Sequence, residues 1–289
     1  MNIQKLCRLY GLSPLQTIVP VQPGTAAQVW RMTTADGAFL VRTLAGRDQG
    51  EREWTIFRHL AGQGFTQIPA ILPTADGTPS AELDGVWYQL QRYCPGAPPD
   101  PGQPGIPRAM ARLAVQLEHA LSSCPTVRFP AEHFDLAEVW TQARQSWSQL
   151  SLPLSPEDAD WAVEQCLQIT DRDAQVIHGD LGPWNLLFTP DRELLVIDFG
   201  QARMGDPYFD VASLLGGLVN HAPQERRAKA CEEFLDECQL HMPLNLARLR
   251  SQLELWVWRG LAQCVCSGPD WAEMAARFYN ALTWAKEAL

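Results

Sequence analysis

Apolar positions change their period about a third of the way along the chain. Up to residue 95 they fall in short runs rich in β-branched and apolar residues, at Thr17–Val21, Ala27–Thr33, Ala38–Leu44 and Val86–Tyr93. Such runs read as strands. Asp36-Gly37 divides the second from the third, a tight-turn pair that joins antiparallel strands. Asp76-Gly77 and Asp84-Gly85 punctuate a second β region, and Thr-Ala-Asp-Gly recurs at 34–37 and 74–77 as a reuse of turn chemistry. Between the β regions, Trp54, Phe57 and Leu60 recur every three residues within Glu51–Ala61, which predicts one helix.

A stretch with six prolines and three glycines between 95 and 107 follows, too broken for a helix or a central strand. Beyond it the period is helical. Met110, Leu113, Ala114, Leu117 and Leu121 make one stripe, and Leu246, Leu249, Leu253, Trp256 and Val257 make another. Trp271, Met274, Ala275, Phe278, Leu282 and Ala285 make a third. The Met and aromatic positions of these stripes read first as core. One β element interrupts: Leu186–Phe188, the turn 189–192, then Glu193–Ile197. The pattern therefore predicts an α+β fold of two lobes. A small antiparallel sheet with one helix spans 1–95, and a larger, mainly helical lobe spans 96–289.

Composition removes several function classes. Net charge is −10, with 8 Lys and Arg against 7 Asp and Glu in 1–95 and 15 against 26 in 96–289. An acidic chain with no basic block is a poor nucleic-acid binder. No apolar run reaches the roughly 18 residues of a membrane span, and no signal-peptide run opens the chain, so a cytoplasmic protein is expected. The eight cysteines show neither Cys-x-x-Cys nor zinc spacing and read as free thiols in a reducing compartment.

The chemistry concentrates around the interrupting hairpin. With its turn near 190–191, antiparallel pairing sets Asp198 opposite about residue 183, beside Asn185 and close in sequence to Asp180. Opposed Cα atoms in such a ladder lie about 5 Å apart. Two carboxylates and an amide oxygen near one hairpin end are hard donors that suit Mg²⁺. Asp210, ahead of the apolar run Val211–Val219, reads as a helix N-cap. Asp206 reads either as facing substrate or as bracing its loop.

His178, Asp180, Asn185 and Asp198-Phe199-Gly200 match in type and spacing the catalytic loop and metal motif of kinases. With His-Gly-Asp at 178–180, Gly205-Asp206-Pro207 and Asp210-Val211-Ala212, the chain resembles the aminoglycoside/choline/homoserine phosphotransferase family of the protein-kinase-like fold. The resemblance extends over nearly the whole chain by architecture, with its specific motifs within 176–212.

That resemblance implies an enzyme moving the γ-phosphoryl group of ATP or GTP, with Mg²⁺, to a hydroxyl of a small molecule. Asp180 would be the catalytic residue, accepting the hydroxyl proton, and Asn185 and Asp198 the metal ligands. His178 would fix the loop. On the nucleotide side it implies Gly24 and Thr25 in a loop over the phosphates, and Arg42 where such enzymes place a lysine. Glu53 would be the partner of Arg42, with Glu51 as the alternative, and the backbone of Gln91 to Tyr93 would meet the adenine edge. The single-glycine loop reads equally well as a plain hairpin turn, and Glu53 as a solvated helix position. The acidic second lobe reads first as a solubilising surface and second as suiting a cationic acceptor, for which Trp256, Trp258 and Trp271 are candidate lining residues, although core packing is their first reading.

Eleven residues separate Asp198 from Asp210, too few for a phosphorylatable activation segment, and no Ala-Pro-Glu follows, which disfavours a protein kinase. The competing reading is a nucleotide-binding pseudokinase module with little or no turnover, supported by Arg42 and the single-glycine loop.

Overall fold

The computed structural model describes residues 2–21, 27–126, 136–150, 152–169 and 173–289. The chain forms two compact units. One comprises Met1–Ala97 and Leu187–Gly200, the other Pro98–Leu186 and Gln201–Leu289. The expected break at 95/96 falls two residues before the first of these boundaries, and the hairpin segment 187–200 groups with the N-terminal residues. Reciprocal hydrogen bonds between Ala97 and Phe188 (3.2 and 2.7 Å) and from Val196 N–H to the Gln67 carbonyl (2.8 Å) hold that segment there.

The first unit is built on an antiparallel sheet. Its strands are β1 (Thr17–Pro20), β2 (Val29–Thr34), β3 (Gly37–Leu44), β4 (Ile71–Leu72), β5 (Ala81–Leu83) and β6 (Val86–Arg92). The order is β1-β2-β3-β6-β4, with β5 also on β6. Asp36-Gly37 turns β2 into β3, setting Thr34 opposite Gly37 and Val29 opposite Arg42. Gly37 has φ +127°, which a side chain would resist. Helix α2 (Arg47–Gly62) contains the predicted stretch and buries Glu53, Ile56 and Leu60.

A second helix, α1 (Ile3–Leu9), was not expected. It is only seven residues long, too short to show a period, and Asn2 caps it through Lys5 N–H. Its Leu6 and Cys7 enter a core with Met32, Phe39, Val41 and Leu90 from the sheet. A short two-stranded ladder, β8 (Leu186–Phe188) with β9 (Leu194–Val196), is the predicted hairpin.

The second unit is mainly helical. Helix α3 spans Ile106–Leu121, α4 Leu136–Ser146, α5 Pro156–Leu167, α6 Tyr208–His221, α7 Gln224–His241, α8 Leu246–Ser267 and α9 Ala272–Ala288. The proline-rich stretch yields to helix two residues earlier than expected, because Pro107 occupies the first turn of α3, where its missing N–H leaves no bond unmade. Helix α6 is the centre: every residue from Tyr208 to Val219 is buried, among α3, α7, α8 and α9.

The stripes are core at Met110, Leu117, Leu253, Val257, Leu282 and Ala285. Trp271 and Met274 are exposed instead, because they sit at the start of α9 rather than along its packed face. Trp258 is buried in a cluster with Trp140 (6.1 Å) and Trp147 (5.9 Å). A two-stranded ladder absent from the expectation, β7 (Gln175–Ile177) with β10 (Arg203–Gly205), completes the unit. Three-residue strands leave too little period to read.

All eight cysteines are free thiols. No helix among the described residues is long and apolar enough to cross a membrane.

Candidate active site

In the second unit, β7 delivers His178-Gly179-Asp180. Gly179 has φ +79°, and a Cβ there would collide with the Gln201 carbonyl, so the loop closes on β10 only with glycine. The carboxylate of Asp210 then clamps the loop. Its Oδ2 accepts the His178 N–H (2.6 Å) and its Oδ1 the Gly179 N–H (2.9 Å). This corrects the N-cap reading of Asp210. Helix α6 starts two residues earlier, at Tyr208, so Asp210 lies inside the first turn, fully buried. Its side chain serves backbone amides from another element rather than those of its own helix.

His178 is fully buried, and its Nδ1 accepts the Asp180 N–H (3.3 Å), tightening the turn that presents Asp180. Asn185 ends a short 3₁₀ turn, Pro183–Asn185. Its Nδ2 donates to Asp180 O (2.8 Å) and to Asp180 Oδ2 (2.9 Å). The amide nitrogen is thereby committed to Asp180, and the amide oxygen is the atom left for a cation. Trp184 Nε1 lies 3.4 Å from the same Asp180 Oδ2.

Asp206 braces its loop. Only 1% exposed, it accepts Arg248 Nε through both oxygens (3.1 and 2.8 Å) and the Tyr208 N–H (2.9 Å).

Trp184 was missed in the sequence. It is 39% exposed and stacks on Trp256 at 6.4 Å, which in turn meets Phe278 at 4.8 Å. Its place in the Asp180-to-Asn185 segment was its only signal. Of the tryptophans considered as acceptor lining, Trp256 backs this wall, Trp258 is core and Trp271 is exposed.

In the first unit, Arg42 on β3 and Glu53 on α2 pair directly, both buried. Arg42 NH1 reaches Asp198 Oδ1 at 3.2 Å. Gln49 Nε2, one turn before Glu53, donates to Glu53 Oε1 at 2.8 Å. Burial pushes the Glu53 carboxyl above its usual range, against the lowering pull of Arg42 and Gln49. The alternative partner, Glu51, instead meets Arg47 on the surface at 3.4 Å.

Asp198 stands at φ +62°, a left-handed backbone that a non-glycine residue adopts at a cost of about 1–3 kcal/mol and that gathers at functional sites. Its side chain is 56% exposed, and Oδ1 takes both Arg42 and the Gly200 N–H (3.2 Å). Gln91 and Tyr93 lie at the end of β6, where the Tyr93 N–H already donates to Ala38 O (3.1 Å) and the Arg92 N–H to Ala70 O (2.7 Å). Gly24 and Thr25 lie outside the described residues.

The donor chemistry fits a hard divalent cation. Asp198 offers a half-exposed carboxylate and Asn185 an amide oxygen. Among the described residues no group of three or more His, Cys, Asp or Glu side chains forms a metal cage. Asp198 and Asn185 are each, within their own unit, the kind of oxygen donor that Mg²⁺ takes, one or two from protein with phosphate and water completing its shell.

Known proteins place the chain. It resembles an amicoumacin kinase solved with AMP-PNP, Ca²⁺ and Ami (14% identity, TM-score 0.74, covering 99% of this chain and 92% of that one). A microcompartment-associated aminopropanol kinase is similar at 15% identity and TM-score 0.73, covering 99% and 96%. A spectinomycin phosphotransferase solved with ADP and spectinomycin is similar at 12% identity and TM-score 0.71, covering 98% and 96%. At these identities the likeness shows the kinase-like fold. No curated protein sequence matches the chain. Residues 17–252, more than half of the chain, match the model of the phosphotransferase enzyme family, and the protein belongs to that family.

Proposed function

We propose that this enzyme transfers the γ-phosphoryl group of ATP, or GTP, to a hydroxyl of a small, cationic molecule. The observation that carries the proposal is the holding of Asp180: its backbone N–H is tied to His178, and its Oδ2 and carbonyl to Asn185. A carboxylate so fixed can orient an acceptor hydroxyl and take its proton, and phosphoryl transfer asks a protein for little beyond positioning and charge neutralisation. Asn185 and Asp198 would hold Mg²⁺, which when bound neutralises charge on the nucleotide phosphates. Arg42, kept in place by Glu53, supplies a further cation for those phosphates. The Gln91-to-Tyr93 segment would meet the base through groups other than the Arg92 and Tyr93 N–H, which already donate to Ala70 and Ala38.

The amicoumacin, spectinomycin and aminopropanol enzymes are named for small-molecule substrates, which supports a small acceptor here. A cationic one suits the charge of 96–289, with 15 basic against 26 acidic residues. Trp184, beside Asp180, would form one wall for its carbon skeleton. The Arg42–Asp198 contact gives the pseudokinase reading its one structural support, since it spends an oxygen a metal would use.

Titration calorimetry with ATP and with GTP, each with and without Mg²⁺, tests the nucleotide half. Binding that requires Mg²⁺ and vanishes in Asp198→Ala is expected. A panel of choline, homoserine, aminopropanol and an aminoglycoside then tests transfer. Nucleotide binding without turnover on any hydroxyl acceptor would favour the pseudokinase.

A further inference from the structure

A buried carboxyl lies behind the catalytic loop. Glu118, on α3, is 7% exposed. Gln175 Nε2 donates to its Oε2 (3.0 Å) and to its own carbonyl (2.8 Å). Its Oε1 is buried, and among the described residues no N–H or hydroxyl donates to it. Helix α3 packs on α6, and Glu118 lies close enough to Asp210, itself an acceptor of the His178 and Gly179 amides, for each negative charge to disfavour the other. Two carboxyl groups facing one another out of water cannot both be ionised. One proton relieves both: on Glu118 Oε1, it turns an unpartnered acceptor into a donor for the carboxylate that already serves two backbone amides.

We propose that Glu118 is a positioning residue, a neutral acid that donates its proton to Asp210 and so holds the loop carrying Asp180. The chain runs Glu118 O–H to the Asp210 carboxylate, and Asp210 to the N–H groups of His178 and Gly179. No covalent step is involved, and the proton stays on Glu118. That the loop is catalytic rests on the function proposed above, but the hydrogen-bond chain does not.

The elements packed against α3 carry further charged groups. Asp206, ahead of α6, adds negative potential, and burial and Asp210 push the Glu118 carboxyl well above its usual range. On α7, Glu237 answers Arg112 (2.7 Å), and Glu233 faces Arg226 (3.9 Å). On β10, the Arg203 guanidinium lies over the Phe209 ring (4.4 Å). His119, next on α3, lies in its last turn.

The linkage has a definite sign. A carboxyl raised in the folded state stabilises fully below its unfolded pKa of about 4.5, and that contribution is lost as pH rises toward the folded value. Glu118→Gln keeps shape and donor but carries no proton to lose.

Three measurements on the whole protein decide the matter. The infrared spectrum of the wild type at neutral pH is expected to show a protonated-carboxyl carbonyl band that Glu118→Gln lacks. The ratio of unfolding constants, wild type over Glu118→Gln, is expected to climb as pH rises above about 4.5, by up to tenfold per unit. Hydrogen exchange at the His178 and Gly179 amides is expected to stay slow in Glu118→Gln and to quicken at least tenfold in Glu118→Ala. A missing band, or a ratio flat with pH, overturns the proposal. So does equal amide protection in the Ala variant. None of these readouts uses nucleotide, so failure of phosphoryl transfer would leave this inference standing, and its own failure would leave the proposed reaction untouched.

Discussion

Removing Arg42 should destabilise the first unit, and the loss should depend on pH in a particular direction. Arg42 and Glu53 form a buried pair, 8% and 3% exposed, and among the described residues Gln49 is the other hydrogen-bond donor to the Glu53 carboxylate. Truncation to alanine leaves a carboxylate out of water with one neutral donor. Breaking a buried pair from one side costs about 3–5 kcal/mol. The Arg42–Asp198 contact adds little to this, since the Asp198 side chain is 56% exposed and such pairs are worth about 0–1 kcal/mol.

The sign follows from protonation. The Glu53 carboxyl is already raised in the folded wild type by burial, with Arg42 pulling it down. Without Arg42 it rises further. A raised folded pKa means stability that is complete below the unfolded value and is lost as pH climbs through the folded one. The defect of Arg42→Ala should therefore shrink toward acid pH, as protonation removes the Glu53 charge in both proteins, and grow with rising pH at up to about 1.4 kcal/mol per pH unit before levelling. Urea unfolding of both proteins from about pH 5 to about pH 8 measures the difference directly and cancels the other carboxylates. A defect under about 1 kcal/mol at the alkaline end, or one independent of pH, would refute the claim that Arg42 keeps a buried Glu53 charged.

Arg42→Lys should restore part of the stability but lose nucleotide affinity by about 1–2 kcal/mol in calorimetry, because one ammonium cannot span Glu53 and a phosphate as the guanidinium fork can; unchanged affinity would show that charge alone matters. Asp180→Ala should bind Mg²⁺-nucleotide normally and lose turnover by at least about 100-fold, the usual share of a proton acceptor, and equal loss of binding would reassign Asp180. Gly217→Ala should cost about 1–3 kcal/mol in thermal or urea unfolding, since a Cβ there meets Pro183 and lies 3.4 Å from the Trp184 ring; a neutral outcome would mean that this loop yields easily. Trp184→Ala should raise the acceptor KM severalfold while leaving the nucleotide KM alone, and a change confined to kcat would mean that the indole serves only to hold Asp180.

What the sequence disclosed follows contact range. The strands joined by Asp36-Gly37, the hairpin from Leu186 to Val196 and the stripes of α3 and α8 rest on neighbours a few residues apart, so period and turn chemistry exposed them. The pairing of β7 with β10 does not, since it joins residues 175–177 to 203–205 through three-residue strands. Asp210 is the instructive case. An acidic residue ahead of an apolar helical run reads as an N-cap, and only the fold shows that its two oxygens serve amides about thirty residues earlier. Glu118 was invisible for the same reason: on α3 it reads as an ordinary polar position, and its significance comes from burial against α6.

Trp184 cannot be placed by its own turn, because the 3₁₀ segment Pro183–Asn185 fixes only its backbone. Its ring is set by what glycine omits elsewhere: side chains at Gly216 and Gly217, in the middle of α6, would strike Trp256 and Pro183. Two adjacent glycines inside a helix cost roughly 1 kcal/mol each relative to alanine. A buried helix has no conformational use for them, so the close approach of α8 and of the 183–184 segment is what they serve. The same helix supplies Asp210 to the loop that carries Asp180. Loop anchor and aromatic wall thus share one rigid support, which argues that Asp180 and the surface beside it move as a single body.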